Sequence, residues 1–464
     1  MTADEQWSLS LGSLHLAAMV AGLLIYVTTT QGLRQRRHPS AAVAWVLMIV
    51  LLPYLGVPLF LLFGSRKLGK PGQGFVTETA PAGVRGDRFQ ALARALRLPP
   101  PAGFAAAHVH EDGDAALAAL LRVIDGAQHT LHVGTFLIGN DSVARRLAGH
   151  LAARARDGIE VRVLVDGIGA LAGRETLRQL RESGVDVTLF VPPWWSPLRG
   201  RTNLRNHRKM AVADRSRAWF GGRNLAGEYF SGIGVDQPWI DLTVDVEGPL
   251  AASLDELFEA DWRFARRGRD DPSLRPALPV PAADPGRVPA QLIPSGPDHA
   301  EDTLYTLLIS SIFDARERID LVTPYFVPDE ALAGALHIAA RRGVRVRLIL
   351  PRRSNHRLAD WARQRSLRDA ETAGVTIEML PAMMHAKAVL VDDELAFVGS
   401  ANLDARSLFL NYELMVAFRD APTVGQLRAW INARRQQAVL WQPQPPAWWR
   451  DLWEGLVRWL TFQL

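Results

Sequence analysis

Two apolar runs open the chain and set it apart from a purely water-facing protein. Leu9 to Val27 is apolar apart from Ser residues and His15, which is long enough to cross a bilayer. Asp4 and Glu5 stand where a cleaved signal peptide would carry basic residues, so an uncleaved anchor is expected. The second run, Ala41 to Phe63, is interrupted by Pro53, Gly56 and Pro58. It predicts either a kinked crossing or a segment that enters and leaves on one side. The anchor is therefore placed at 1–65, with membrane segments at about 9–28 and 41–63. A Gly-, Pro- and Ala-rich linker follows at 66–105, with a short helical piece near Phe89 to Leu96.

Beyond the linker the pattern alternates between the two periods. Helical spacing over Asp114 to Ala127 leads into a strand at Leu131 to Leu137. A helix over Val143 to Arg156 leads into the continuous apolar run Val161 to Val165, and Val185 to Phe190 reads as a third strand. This is the rhythm of an α/β domain. It then recurs: helix Thr303 to Ala315, strand Ile319 to Val322, helix Glu330 to Arg341, strand Val344 to Leu350. The halves are assigned to 106–270 and 291–440, joined by a Pro-rich linker at 271–290. A C-terminal stretch, 441–464, carries Trp448, Trp449, Trp453 and Trp459 at helical spacing with Arg between. It fits an amphipathic helix lying in a membrane interface or packed on the globular body.

Each half contains one copy of the same chemistry. His207 is followed by Lys209 at +2, Asp214 at +7, Gly222 at +15 and Asn224 at +17; His385, Lys387, Asp392, Ser400 and Asn402 repeat the offsets. A His and a Lys two apart on a strand face the same side. Two such copies, brought together, could hold one phosphodiester between two imidazoles. One imidazole would attack and the other would move a proton, with the two lysines neutralising the non-bridging oxygens. Asn224 and Asn402 are expected to donate amide hydrogen bonds to those oxygens. Gly222 and Ser400 are expected to let the backbone approach the phosphate, with the Ser400 hydroxyl as a further donor. Each His needs an acceptor on its other ring nitrogen. On the next strand Glu413 is the candidate for His385, and Asp241 the candidate for His207. Asp214 and Asp392, though part of the repeated pattern and counted with the catalytic set, fall at strand ends where they would stabilise turns.

Composition narrows the class. There is no Cys, so no disulfide, thiolate nucleophile or Cys-ligated zinc is available. His110-Glu111-Asp112 matches no trusted ligand spacing and reads as a loop entering a helix capped by Asp112 or Asp114. No metal or other cofactor is expected. The charge balance, 53 basic against 48 acidic residues, is only +5, too mild to argue for a nucleic-acid groove. Trp194 and Trp195, between prolines and followed by Arg199, Arg201 and Arg205, form an insertion without a counterpart in the second half. It reads as a lipid-facing lip or a packed loop.

The paired motifs resemble the phospholipase D superfamily. Arg205-Asn206-His207-Arg208-Lys209, Thr323-Pro324-Tyr325-Phe326 and Asn411-Tyr412-Glu413 look like the bacterial cardiolipin synthases within it. That resemblance implies a duplicated fold of two pseudo-symmetric α/β/α halves with mixed sheets, preceded by two transmembrane segments in a bacterial inner membrane. It also implies transfer of a phosphatidyl group between two phosphatidylglycerol molecules, through a phosphohistidine. Membrane phospholipids are then the partners, and Tyr325, Phe326 and Val327 line the pocket. One departure stands out: Gly134-Thr135-Phe136-Leu137 occupies the corresponding place in the first half, where a Tyr-containing motif is expected. Membrane-bound phospholipase D, with water as acceptor, is the alternative from the same motifs, and a nuclease is a more distant one.

Overall fold

A computed structural model describes residues 3–32, 39–64, 87–192, 203–266, 282–299 and 301–443. The Trp194–Trp195 insertion and the C-terminal Trp-rich stretch lie outside these.

Helix α1 (Ala3–Gly32) contains an 18-residue apolar window, Ser13–Thr30, long enough to cross a membrane. The second apolar run differs from a single span. It forms α2 (Pro39–Leu51) and α3 (Pro53–Phe63), broken where Leu52 leaves helical geometry and Pro53 starts the next helix. At ~1.5 Å per residue neither reaches across a ~30 Å hydrocarbon core. The ring of Trp45 meets that of Phe60 at 5.3 Å, so α3 doubles back on α2. Tyr26 of α1 packs on Phe60 at 5.2 Å and closes this small cluster. The second run is thus a helical hairpin and not one continuous helix, with the break at Leu52–Pro53.

α4 (Arg88–Ala95) then packs Phe89 on Phe397. The first half comprises β1 (Ala106–Val109), α5 (Gly113–Asp125), β2 (Thr130–Thr135), α6 (Ser142–Arg156), β3 (Glu160–Asp166), α7 (Arg174–Glu182), β4 (Asp186–Phe190), β5 (Met210–Ala213), β6 (Arg217–Gly221), β7 (Thr243–Glu247) and α8 (Pro249–Ala265). The second comprises β8 (Gln291–Ser295), α9 (Thr303–Asp314), β9 (Arg318–Val322), β10 (Phe326–Val327), α10 (Glu330–Arg341), β11 (Arg345–Pro351), α11 (Arg357–Thr372), β12 (Thr376–Leu380), β13 (Ala388–Val391), β14 (Leu395–Gly399), β15 (Leu403–Asp404), α12 (Ala405–Phe409), β16 (Glu413–Phe418), α13 (Ala421–Arg435) and β17 (Val439–Leu440).

The two sheets have the same topology. The first runs β1-β7-β6-β5-β2-β3-β4 and the second β8-β16-β14-β13-β9-β11-β12, with β17 added at its edge. In each, three parallel strands adjoin an antiparallel block, giving mixed sheets. Apart from the edge strand β4, the parallel strands are largely buried on both faces, which is why their sequences read as continuous apolar runs. Helices α5 to α7 cover the outside of the first sheet and α9 to α11 that of the second. Between the sheets lies one apolar layer drawn from both halves, with α8 and α13 contributing Phe258, Trp262, Leu427 and Trp430.

Two isolated parallel bridges join the halves, Asn206 with Tyr412 and Ile240 with Met384. The His207 amide donates to the Tyr412 carbonyl at 2.9 Å, and the His385 amide to the Ile240 carbonyl at 2.7 Å. The segment entering each His is therefore stitched to the opposite half, on either side of a pseudo-twofold axis.

Candidate active site

These bridges decide which carboxylate serves which histidine. Glu413 directly follows Tyr412, and both its oxygens lie 3.1 Å from His207 Nδ1. Asp241 directly follows Ile240, and its Oδ2 lies 2.7 Å from His385 Nδ1. Each carboxylate orients the histidine of the other half. This reverses the pairing expected from sequence, because strand neighbours within one half are not the groups that the inter-half bridges bring together. Nδ1 of each ring meets its carboxylate, which fixes the orientation of the ring.

The residues at +15 support the carboxylates rather than a phosphate. A Cβ on Gly222 would fall 2.1 Å from Asp241 Oδ1, so the glycine makes room for that side chain. Ser400 Oγ donates to Glu413 Oε2 at 2.5 Å and accepts from the Leu414 amide at 2.9 Å. Its single proton is committed to Glu413, which corrects its expected role as a phosphate donor. Asn411 Nδ2 also donates to Glu413 Oε1, at 3.2 Å.

Asp214 and Asp392 are not in the site. They sit at the far ends of β5 and β13 from the histidines. Asp214 accepts from the amides of Gln128, His129 and Thr130, and Asp392 from those of Arg316, Glu317 and Arg318. Both take left-handed backbone conformations, φ 52° and 51°, which Asp tolerates. They fasten the turn after the motif strand to the start of β2 or β9. Asp112 likewise caps α5 by accepting from the Ala115 amide, and His110 pairs with Asp245 instead of gathering a ligand set.

The remaining motif residues lie together. Lys209 Nζ donates to the His207 carbonyl at 2.6 Å; Lys387 Nζ lies 2.8 Å from His385 Nδ1 and also donates to the His385 carbonyl. Asn224 Nδ2 meets the Tyr229 hydroxyl at 2.7 Å, and Asn402 hydrogen-bonds Asp404. In both asparagines Oδ1 is buried without a partner. Phe136 packs edge-on to His207 at 5.3 Å, while Tyr229 does the same for His385 at 5.1 Å. The Thr135 and Thr323 hydroxyls donate to the carbonyls of Leu137 and Tyr325, so Leu137 stands where the second half has Tyr325.

Burial dominates the electrostatics. It lowers His207 to about 4, against the pull of Glu413, and it lowers His385 to about 3 with help from Lys387. Both rings are neutral near pH 7. Burial also lowers Lys209 well below the ordinary lysine range and Lys387 to about 8, although Asp241 and Glu413 favour its charge. Burial works against the charge of Asp241 as well, but His385 and Lys387 outweigh it and hold the carboxyl at about 2. Each lysine acts on the opposite half's histidine, which places all four side chains in one electrostatic field. A depressed lysine loses its proton earlier as pH rises. We therefore expect kcat/KM to fall above about pH 8, and Lys387→Arg to move that limb upward whatever its effect on the maximum. An unmoved limb in the Arg variant would take Lys387 out of the titration.

Several groups that hold the site were read from sequence only as part of a family-like string or, for Arg205, of a lipid-facing lip, whereas Arg205 is buried. Arg208 is buried, donates to the Glu413 carbonyl at 3.0 Å and the Ser295 carbonyl at 3.2 Å, and pairs with Asp261 of α8. Asn206 donates to the same Asp261 at 2.9 Å, and Arg205 pairs with buried Asp166 at 3.1 Å. The string Arg205 to Lys209 is thus a staple between halves as much as a catalytic motif. Among the described residues one buried His–carboxylate cluster lies elsewhere, His132 with Asp255 and Glu259. Arg215 and Arg162 approach its carboxylates at 3.9 and 3.4 Å, and the ring stacks on Phe258, so it ties β2 to α8.

Two repeated halves, each lending a His and a Lys to one buried site, define a phospholipase D-type protein. Comparison with known proteins is consistent with that class. The family model described as "Cardiolipin synthase, PLD-like domain" matches residues 120–262 and 308–435, and a phospholipase D-nuclease N-terminal model matches 18–65. Cardiolipin synthase A of Pseudomonas aeruginosa strain LESB58 is 32% identical over 93% of this chain and 92% of its own length. Cardiolipin synthase A of Pseudomonas putida strain W619 is 33% identical over 92% and 91%. Among solved structures, phosphatidylserine synthase of Haemophilus influenzae aligns with TM-score 0.61 at 15% identity, covering 81% of this chain and 99% of that one, which shows the shared fold. The chain belongs to the cardiolipin synthase family of phospholipase D-like enzymes.

Proposed function

We propose that the protein makes cardiolipin from two phosphatidylglycerol molecules. The observation that carries the reading is the crossed arrangement of two neutral, carboxylate-oriented histidines beside two buried lysines. One Nε2 attacks the phosphorus of the first phosphatidylglycerol. The P–O bond to the terminal glycerol breaks, and the other histidine, protonated in the complex, gives that oxygen its proton. The second histidine, now neutral, takes the proton from the terminal hydroxyl of another phosphatidylglycerol. That oxygen attacks phosphorus, the P–N bond breaks and the first histidine is regenerated. Lys209 and Lys387 neutralise the non-bridging oxygens. Asn224 and Asn402 can serve the same oxygens once each amide is turned so that Nδ2 faces them. The Tyr229 hydroxyl would then donate to Asn224 Oδ1.

The membrane reading is a bacterial inner-membrane enzyme with α1 as its span and the α2–α3 hairpin re-entering from the same side. This takes the second of the two arrangements expected for 41–63, and the charge pattern favours it. Arg34, Arg36 and Arg37 precede the hairpin and Arg66, Lys67 and Lys70 follow it. A hairpin keeps both groups on one side, and the positive-inside rule makes that side cytoplasmic, together with the site.

Purified protein in phosphatidylglycerol vesicles should yield cardiolipin and one glycerol per cardiolipin. Phosphatidic acid as the main product would instead identify a phospholipase D. No turnover of phosphatidylglycerol would overturn the donor assignment, and phosphatidylethanolamine would then be added as acceptor.

A further inference from the structure

We infer that three loops around the site form a rim that inserts into the surface of an anionic phospholipid bilayer, with Leu358 and Trp361 as its main wedge. The argument starts from which end of the sheets the site occupies. β13 begins just after Lys387, and its first residue, Ala388, pairs with Val322, the last residue of β9. β11 runs parallel to β9, so the loop after β11 leaves at the site's end. By the same reasoning in the first half, the loop after β3 leaves beside Gly134 and Met210.

Each of these loops is tied to a side chain of the site. The Tyr325 hydroxyl donates to Asn355 Oδ1, and its ring meets His356 at 5.4 Å, holding residues 352–357 over the pocket wall. The loop after β3 lies directly on Phe136, because a Cβ on Gly169 would fall 1.7 Å from the Phe136 carbonyl oxygen. The third loop, 231–238, runs between Tyr229 and Trp239, both of which touch His385.

All three present large apolar side chains to solvent. Leu358 is 60% exposed and Trp361 59%, on the first turns of α11; Ile168 and Leu171 are each 46% exposed, and Ile233 40%. Outside the N-terminal helices, most of the other exposed large apolar residues among those described are scattered singly, as is normal for a surface. Here they converge from three loops on one end, which is not. Charge selects the occupant. Arg352, Arg353 and Arg357 are exposed beside Leu358, while Asp360 is engaged by Arg363 and the Ser354 amide. A Trp and a Leu flanked by arginines suit the headgroup layer of an anionic membrane, with the rings at the level of the glycerol backbone and the arginines on phosphates. The apolar window of α1 is long enough to cross a membrane and would hold the chain at such a surface.

This rests on the phospholipid-transfer reading, and the test separates the two. The chain has no Cys, so one can be placed at Leu358, Trp361 or Leu171 and labelled with a fluorophore, with Phe313 as control. Phe313 is 45% exposed but ends α9, next to the Asp392 turn at the opposite end of the sheet. In the full chain reconstituted in phosphatidylglycerol–phosphatidylcholine vesicles, nitroxide lipids should quench the three rim labels, and aqueous iodide should quench only the control. Iodide access at the rim equal to that at Phe313 would overturn the inference. So would protection that grows with protein density at constant lipid, which would mean that a second copy covers the patch. The quenching needs no turnover and stands whatever the reaction proves to be. In the activity arm, a Leu358→Ser, Trp361→Ser double variant should raise KM on vesicles by about tenfold yet leave turnover of monomeric short-chain phosphatidylglycerol unchanged. Equal losses on both substrates would place these residues in the pocket instead of on the membrane.

Discussion

Glu413→Gln should slow phosphatidyl transfer by roughly 10²–10⁴-fold, although it lies in the opposite half from the histidine it serves. Gln matches Glu in size but carries no charge, and it can donate where Glu only accepts. It therefore no longer fixes Nδ1–H on His207 or stabilises the imidazolium that forms during transfer. Only one of the two donors, Ser400 or Asn411, still meets an oxygen in the Gln variant, so the loss should fall mainly on kcat and be accompanied by a lower melting temperature. Asp241→Asn should act equally through His385. Imidazole ¹⁵N shifts distinguish the crossed pairing from the uncrossed one. Glu413→Gln should move the His207 resonances and leave those of His385, with Asp241→Asn doing the reverse. The opposite assignment would return each carboxylate to its own half.

His207→Ala and His385→Ala should each reduce cardiolipin formation by roughly 10⁴-fold or more, since each removes a partner that both half-reactions need. The covalent route makes a sharper demand than loss of rate. Two successive displacements at phosphorus give net retention of configuration, whereas direct attack of one lipid on the other gives inversion. A chiral phosphorothioate analogue of phosphatidylglycerol should therefore emerge with retention. An acid-labile lipid label on the protein should survive in only one of the two single variants, which names the nucleophile. Inversion would remove the phosphohistidine and leave both histidines as proton carriers.

Much of this arrangement is legible in the sequence. The strand–helix alternation is strong because the parallel strands are largely buried on both faces, and the helix expected at Glu330 to Arg341 has those same limits. The offsets repeated after His207 and His385 pointed to one site built by two halves. What local sequence could not carry was the partnering across 206 and 144 residues, which depends on how the halves dock. The string Arg205 to Lys209 held a signal for it, since two arginines flanking a histidine in a buried segment leading into a strand need acceptors. Only the fold shows those to be Asp166, Asp261 and the Glu413 carbonyl. The hairpin of α2 and α3 shows the same limit: Pro53 and Gly56 announced a break without giving its direction.

The crossed carboxylates also bear on how the chain is made. During synthesis the first half emerges with His207 in place, but Glu413 follows only 206 residues later. A nascent chain that has reached His207 but not Glu413 carries a histidine without the carboxylate that orients it. Each half lacks the carboxylate that orients its histidine until the other half is present, so the site is complete only when both are, and a chain ending before Glu413 would carry His207 without its partner.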